Sequence, residues 1–203
     1  MVTYNEIKKC TNMHLIPKSI HMNRGVMFDY RLFDALDNPT EKDLKYDFDI
    51  FLPKYGINLQ RPYVWEYYQQ NEYILSILLE KPMDRFIGIL NYKDSLERER
   101  GTMEIIDGKQ RLLTIQKFIH NEFPIIVNNQ NVYFKDFDSE LKHFFKGRVN
   151  YLTGDVYYSY DNLKFEDGKI TDDMKIILFN FYNFAGTPQT EEHKNKLQSL
   201  IKL

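Results

Sequence analysis

The sequence predicts an α+β fold, in which helices and the strands of a mixed sheet share one core without regular alternation. Three observations carry this. A chain of 203 residues with 43% hydrophobic and 28% charged side chains is long enough, and ordinary enough, for a globular domain with its own core. Short apolar runs of strand length, Phe86 to Leu90 and Met103 to Ile106, sit among longer segments whose apolar residues recur at helical spacing. Pro124 to Val127 and Val132 to Phe134 follow each other directly across Asn128-Asn129-Gln130-Asn131, which reads as a hairpin with a polar turn. Such a mixture fits α+β better than a doubly wound sheet.

Residues 1–55 read as an N-terminal extension carrying the first strand or strands, and 56–203 as the main domain. Within the extension, Asp34 to Asp49 is acidic and broken by Asn38-Pro39, as expected of a solvated loop with one short helix. Asp49 to Pro53 resembles a short strand stopped by proline, and Ile57-Asn58-Leu59 a strand end. Glu66 to Glu80 places Ile74, Ile77 and Leu78 at helical spacing and stops near Lys81-Pro82. Phe86 to Leu90 is a buried strand, and Lys93 to Gly101, with both charge signs mixed, is a solvated loop. Met103 to Ile106 is a strand, followed by a helix from Gln110 to His120 that buries Leu112, Ile115 and Ile119. Beyond the hairpin, Ser139 to Lys146 is a short helix stopped by Gly147, and Val156 to Tyr158 is a strand. Asp172 to Phe184 is a buried helix, and Thr190 caps a final one with Glu191 and Glu192 in its first turn.

Bulk properties remove several function classes. A net charge of −2 and a pI near 6.2 leave no global basic field for nucleic acid, only the possibility of a local groove. The lone Cys10 has no partner for an intrachain disulfide, and His14, His21, His120, His143 and His193 stand singly, without zinc-ligand spacing. No signal pattern opens the chain and no apolar run approaches the ~20 residues of a membrane span, so a soluble cytoplasmic protein is expected.

The segment Asp107-Gly108-Lys109-Gln110-Arg111 holds the chemistry. One reading is structural: Asp107 caps the helix, Gly108 allows the turn, Gln110 completes a capping box and Arg111 is solvated. The other is functional. A helix N-terminus offers free N–H groups to an anion, Lys109 and Arg111 flank it, and Asp107 can hold a metal or orient an attacking water. Upstream, Arg61 is kept extended by Pro62, while Tyr63 and Trp65 offer either stacking faces for a base or anchors for the next helix.

Gln60-Arg61-Pro62-Tyr63-Val64-Trp65, followed by Ile106-Asp107-Gly108-Lys109-Gln110-Arg111-Leu112, resembles the N-terminal domain of GmrSD-type restriction endonucleases. That family carries Asp-Gly-Gln-Gln-Arg after a strand and an upstream Gln-Arg-x-Tyr-x-Trp. Its third motif, Phe-x-Arg-Leu-Asn and a Gly-x-Pro-Leu turn, is similar to Phe179-Asn180-Phe181-Tyr182-Asn183 and Gly186-Thr187-Pro188-Gln189. The resemblance implies a ParB/sulfiredoxin-like mixed sheet with additional helices, binding and hydrolysis of a nucleoside triphosphate (NTP) with Mg2+, and a role in DNA restriction. Carried over by position, Asp107, Gln110 and Arg111 are the catalytic candidates, with Asp107 also the metal ligand. Gln60, Arg61, Tyr63, Trp65, Gly108, Lys109 and Asn183 are the nucleotide-binding candidates.

Three positions depart from the family pattern: Lys109 stands for a Gln, Phe181 for an Arg and Gln189 for a Leu. The chain ends at Leu203 with no room for an HNH-type nuclease domain, so DNA cleavage is expected of a partner chain. Two other functions compete with the NTPase: a non-catalytic nucleotide-, DNA- or protein-binding adaptor, and a direct nuclease.

Overall fold

A computed structural model describes residues 20–92, 101–160, 170–183 and 199. Its elements follow in the order β1 (His21–Met27), α1 (Leu32–Asp37), β2 (Lys45–Asp47), β3 (Phe51–Leu52), β4 (Ile57–Asn58), α2 (Tyr67–Leu78), β5 (Phe86–Tyr92) and β6 (Thr102–Asp107). Then come α3 (Lys109–Ile119), β7 (Ile125–Val127), β8 (Gln130–Val132), a 3-10 turn at Phe134–Asp136, α4 (Ser139–Asn150), β9 (Thr153–Tyr160) and α5 (Asp172–Asn183).

Five strands form the central sheet in the order β1-β9-β5-β6-β2. β5 lies parallel to β9 and antiparallel to β6, β1 is antiparallel to β9, and β2 is parallel to β6. The sheet is therefore mixed and the fold is α+β. Alternation along the middle strands feeds two cores. Phe86, Leu90, Met103, Ile105 and Val156 meet the helical side, built from α1 to α4. Ile87, Ile89, Ile106 and Tyr157 meet the other side, where the β3–β4 hairpin and α5 supply Leu52, Ile176, Leu178 and Phe179. Lys175 on α5 donates to Glu104 on β6 at 2.6 Å, a buried ion pair that ties this layer to the sheet.

Helix α3 buries Leu112, Ile115 and Ile119 as its spacing predicts, and Phe118 with them. The predicted helices from Glu66 and Asp172 are observed as α2 and α5. The hairpin turn is tighter than its four polar residues suggest: Asn128 and Asn129 both take positive φ, and Gln130 already belongs to β8.

Two expectations are corrected. Gly147 does not stop α4, which continues to Asn150 because Val149 is fully buried and anchors the last turn. A glycine costs a helix about 1 kcal/mol relative to alanine, less than the burial of a valine returns. The acidic stretch from Asp34 to Asp49 is a solvated loop with one short helix only in part: α1 opens it and Asp37 to Lys42 are exposed, but Asp43 and Leu44 are buried. Asp43 is 1% exposed, with Arg31 Nε at 2.6 Å and the Thr40 hydroxyl donating at 2.6 Å, and β2 extends the sheet beside β6. The segment read as an N-terminal extension thus supplies both edge strands and the buried faces of α1. The loop at 93–100, Phe184 and the helix capped by Thr190 lie outside the described residues. Among the described residues no helix is long and apolar enough to cross a membrane.

Candidate functional site

The C-terminal end of β6 is irregular. Ile105 lies opposite Gly88 on β5 and Asp107 opposite Ile87, so Ile106 is an extra residue in a β-bulge. A bulge takes its residue off the ladder and redirects the chain beyond it. The carbonyls it displaces need donors from elsewhere. Gln60 Nε2 donates to the Ile105 carbonyl at 2.5 Å and to the Ile106 carbonyl at 3.0 Å. Asn183 Nδ2, from the last turn of α5, donates to the same Ile106 carbonyl at 3.2 Å and to that of Phe179 at 3.0 Å. Residues 123 positions apart in sequence are thereby fastened to one atom.

After the bulge the chain turns through Gly108 into α3. Gly108 has φ 107°, a left-handed conformation that side chains resist, and a Cβ there would overlap the Phe86 ring. Gly108 itself is the N-cap, and no side chain caps the helix. The capping box between Asp107 and Gln110 does not form. Gln110 instead faces the segment Pro62–Val64: its Oε1 accepts from the Val64 N–H at 2.8 Å and its Nε2 donates to the Pro62 carbonyl at 3.1 Å. The extended strap at 60–65 pairs with no strand among the described residues, and the Gln110 amide serves the Pro62 carbonyl and the Val64 N–H.

Arg111 is not a solvated helix residue. Its Nη1 donates to the Asp84 carbonyl at 2.5 Å, its Nη2 to the Arg85 carbonyl at 3.1 Å and to Asp107 Oδ2 at 2.8 Å. The guanidinium also lies 4.7 Å from the centre of the Phe86 ring, and 12% of the side chain is exposed. Burial pushes the Asp107 carboxyl above the usual range; the Arg111 charge and the Gly108 N–H oppose this, while Asp84 adds to it. About a third (35%) of the Asp107 side chain remains open to solvent.

Lys109 lies at the first position of α3 with its side chain only 7% exposed, and its Nζ meets Asp49 Oδ1 at 2.5 Å. That bond holds the Asp49 carboxyl below its ordinary range, helped by Asn58. Tyr63 hydrogen-bonds Thr114 at 2.8 Å, and Lys117 Nζ lies 5.3 Å from its ring centre. Trp65 packs edge-on against Tyr73 at 5.3 Å and rests on the helical core. Arg61 is half-buried and makes no hydrogen bond or ion pair among the described residues.

The structure therefore brings Gln60, Asp107, Gly108, Lys109, Gln110, Arg111 and Asn183 to one end of β6, with Arg61 on the strap between them. Tyr63 and Trp65 lie further along, packed on helices. Sequence reasoning missed Asp49 and Asp84, whose pairing depends on tertiary approach. It also missed Thr114, which lies four residues after Gln110 on the face that meets the strap and which helical spacing could have indicated. Among the described residues no group of three His, Cys, Asp or Glu side chains could hold a metal. Magnesium is commonly held by one or two carboxylates together with substrate phosphates, and a partly open Asp107 fits that mode.

Neither a curated protein nor a solved structure matches the chain. The family model for the GmrSD restriction endonuclease, N-terminal domain, matches residues 33–203, which include the strap, the bulge and Asn183. This chain belongs to the GmrSD restriction endonuclease N-terminal domain family.

Proposed function

We propose that this chain is the NTP-binding and NTP-hydrolysing module of a restriction system, acting with a separate partner that engages DNA. The observation that carries the reading is the meeting of three distant segments on the Ile106 bulge, which presents the Asp107 carboxyl beside the start of α3. The first N–H groups of a helix have no intrahelical acceptors and suit phosphate oxygens. Asp107 is the base candidate: burial raises its carboxyl above the usual aspartate range, which makes the carboxylate a better acceptor for a proton from water. The activated water attacks the terminal phosphorus, the bond to the bridging oxygen breaks, and a nucleoside diphosphate and inorganic phosphate leave. Asp107 is also the residue that would hold Mg2+, an ion that would neutralise phosphate charge and acidify the attacking water; a carboxylate engaged in that way would orient the water rather than take its proton.

The experiment is binding of ATP, GTP, CTP and UTP to the full chain, with phosphate release measured with and without Mg2+. Wild type is expected to bind at least one NTP and release phosphate from it, and Asp107→Asn to bind but not hydrolyse. Wild type that releases no phosphate from any of the four removes the catalytic half of the proposal, and absent binding removes it entirely. A specific observation favours the adaptor as the second reading: Lys109 and Arg111 are both already ion-paired within the fold. On that reading Arg111→Ala leaves partner binding intact wherever the variant is folded.

A further inference from the structure

The hydroxyls of Tyr46, Tyr63, Tyr157 and Tyr182 all find hydrogen-bond partners, at 2.8 to 3.0 Å. That of Tyr73 does not. Tyr73 lies on the buried face of α2 with Ile74 and Ile77, 9% exposed and edge-on to Trp65. Its hydroxyl is closed off from solvent and has no partner among the described residues. A buried donor left unpaired costs more than a made hydrogen bond usually returns. Phenylalanine would fill the same space without that penalty, so packing accounts for the ring and not for the hydroxyl.

Two charges beside the candidate site act on this hydroxyl. Burial pushes it up, the Arg111 charge opposes this and Asp84 adds to it. The same two residues are joined to each other, since Arg111 Nη1 donates to the Asp84 carbonyl at 2.5 Å. For its guanidinium to meet a phosphate, Arg111 has to give up donations of this kind, and the Asp84 carbonyl then loses its donor. A donor without an acceptor and an acceptor about to lose its donor thus lie on either side of one guanidinium. Water can serve a carbonyl on an exposed loop, but it does not reach the Tyr73 hydroxyl, so pairing the two adds a hydrogen bond that the free protein lacks.

We propose that Tyr73 is a positioning residue for Arg111: its hydroxyl takes over the Asp84 carbonyl when the guanidinium turns to the phosphates of the nucleotide. The inference rests on the nucleotide-binding reading above. It adds to the site a residue of α2 that lies outside all three motifs, and it gives the unpaired hydroxyl a use.

The test is calorimetric titration of the full chain and its Tyr73→Phe variant with ATP, GTP, CTP and UTP in Mg2+, alongside thermal melting without nucleotide. Tyr73→Phe is expected to melt at or above the wild-type temperature, because an unpaired hydroxyl has left the core. It is nevertheless expected to bind the best-bound NTP about 2- to 10-fold more weakly, the size of one net hydrogen bond. A merely structural hydroxyl would move stability and affinity in the same direction. Affinity at or above that of wild type overturns the assignment, and so does a melting temperature lowered together with affinity. Wild type that binds none of the four overturns the nucleotide-binding reading itself, a different outcome from the first two.

Discussion

The two ends of α3 are held by opposite means. At its C-terminal end Phe118 is fully buried, with the rings of Phe123, Phe134, Phe137 and Phe145 centred 5.6 to 5.9 Å away. At its N-terminal end Lys109, Gln110 and Arg111 each reach a separate partner through directional bonds, to Asp49, to the strap, and to the Asp84–Arg85 backbone. Burial is proportional to area and only weakly dependent on orientation, so the aromatic end tolerates an apolar side chain of similar volume at modest cost. A net hydrogen bond contributes only about 1 kcal/mol, so the polar end adds less stability per residue. What it adds is position: each bond fixes an atom beside Asp107. One end supports the fold, and the other arranges a site.

The sharpest break of that contrast is Phe118→Ala. Truncating a buried phenylalanine costs about 3–5 kcal/mol, and urea unfolding should show a loss in this range with the nucleotide affinity of the folded fraction unchanged. Gly108→Ala comes next. Here a left-handed backbone and an overlap with the rigid Phe86 ring act together, for an expected loss of about 2–4 kcal/mol. Unlike the first variant, it should also lose nucleotide binding under conditions where it remains folded, because the turn it distorts carries Asp107.

Arg111→Gln tests the polar end through pH. The Asp107 carboxyl is raised by burial and restrained by the Arg111 charge, so removing that charge raises it further. A carboxyl whose folded pKa lies above its unfolded value favours folding below the unfolded pKa, and this contribution is lost as pH rises through the folded pKa. Carboxyl-carbon NMR titration should therefore find the Asp107 midpoint above the usual aspartate range in wild type and higher still in Arg111→Gln. The variant should lose about 1.5–3 kcal/mol for its charge-assisted bonds, measured near neutral pH. An Asp107 midpoint unchanged by the substitution would mean that the Arg111 charge does not restrain this carboxyl.

The same contrast explains what could be read from the sequence. Leu112, Ile115 and Ile119 declare themselves by period, because burial acts on a whole face of a helix. The β5 and β6 strands were legible as apolar runs for the same reason. The bulge at Ile106 was not, since an extra residue changes register without changing composition. Gln110 misled by fitting a capping box, a local pattern that lost to the unpaired backbone of Pro62 and Val64. Asp43 and Asp49 looked alike in one acidic stretch, yet the first is buried against Arg31 and the second is an exposed partner of a buried lysine. Gly147 carried a stop signal that Val149, two residues later, overrode. The residue types at the site were visible; apart from the Asp107–Arg111 pair, their partners depended on contacts made across 26 to 77 residues of chain.

The smallest effect is expected from Asp49→Asn, and it separates Lys109 from Arg111. Asp49 is 68% exposed, so water replaces much of what it gives, and asparagine still accepts a hydrogen bond from the ammonium. A loss of about 1 kcal/mol is expected. The Lys109 bond lowers the Asp49 carboxyl below its unfolded value, so this contribution is present above the unfolded pKa and disappears as pH falls through the folded one. Wild type and variant should accordingly differ in urea midpoint at pH 7 and converge in strong acid. Nucleotide titration of the same variant then asks which cation meets phosphate. If Lys109 does, freeing it from an internal carboxylate tightens binding; with Arg111 in that role, affinity moves little. A large gain in affinity for Asp49→Asn would place the phosphate on Lys109 and make Asp49 its resident competitor.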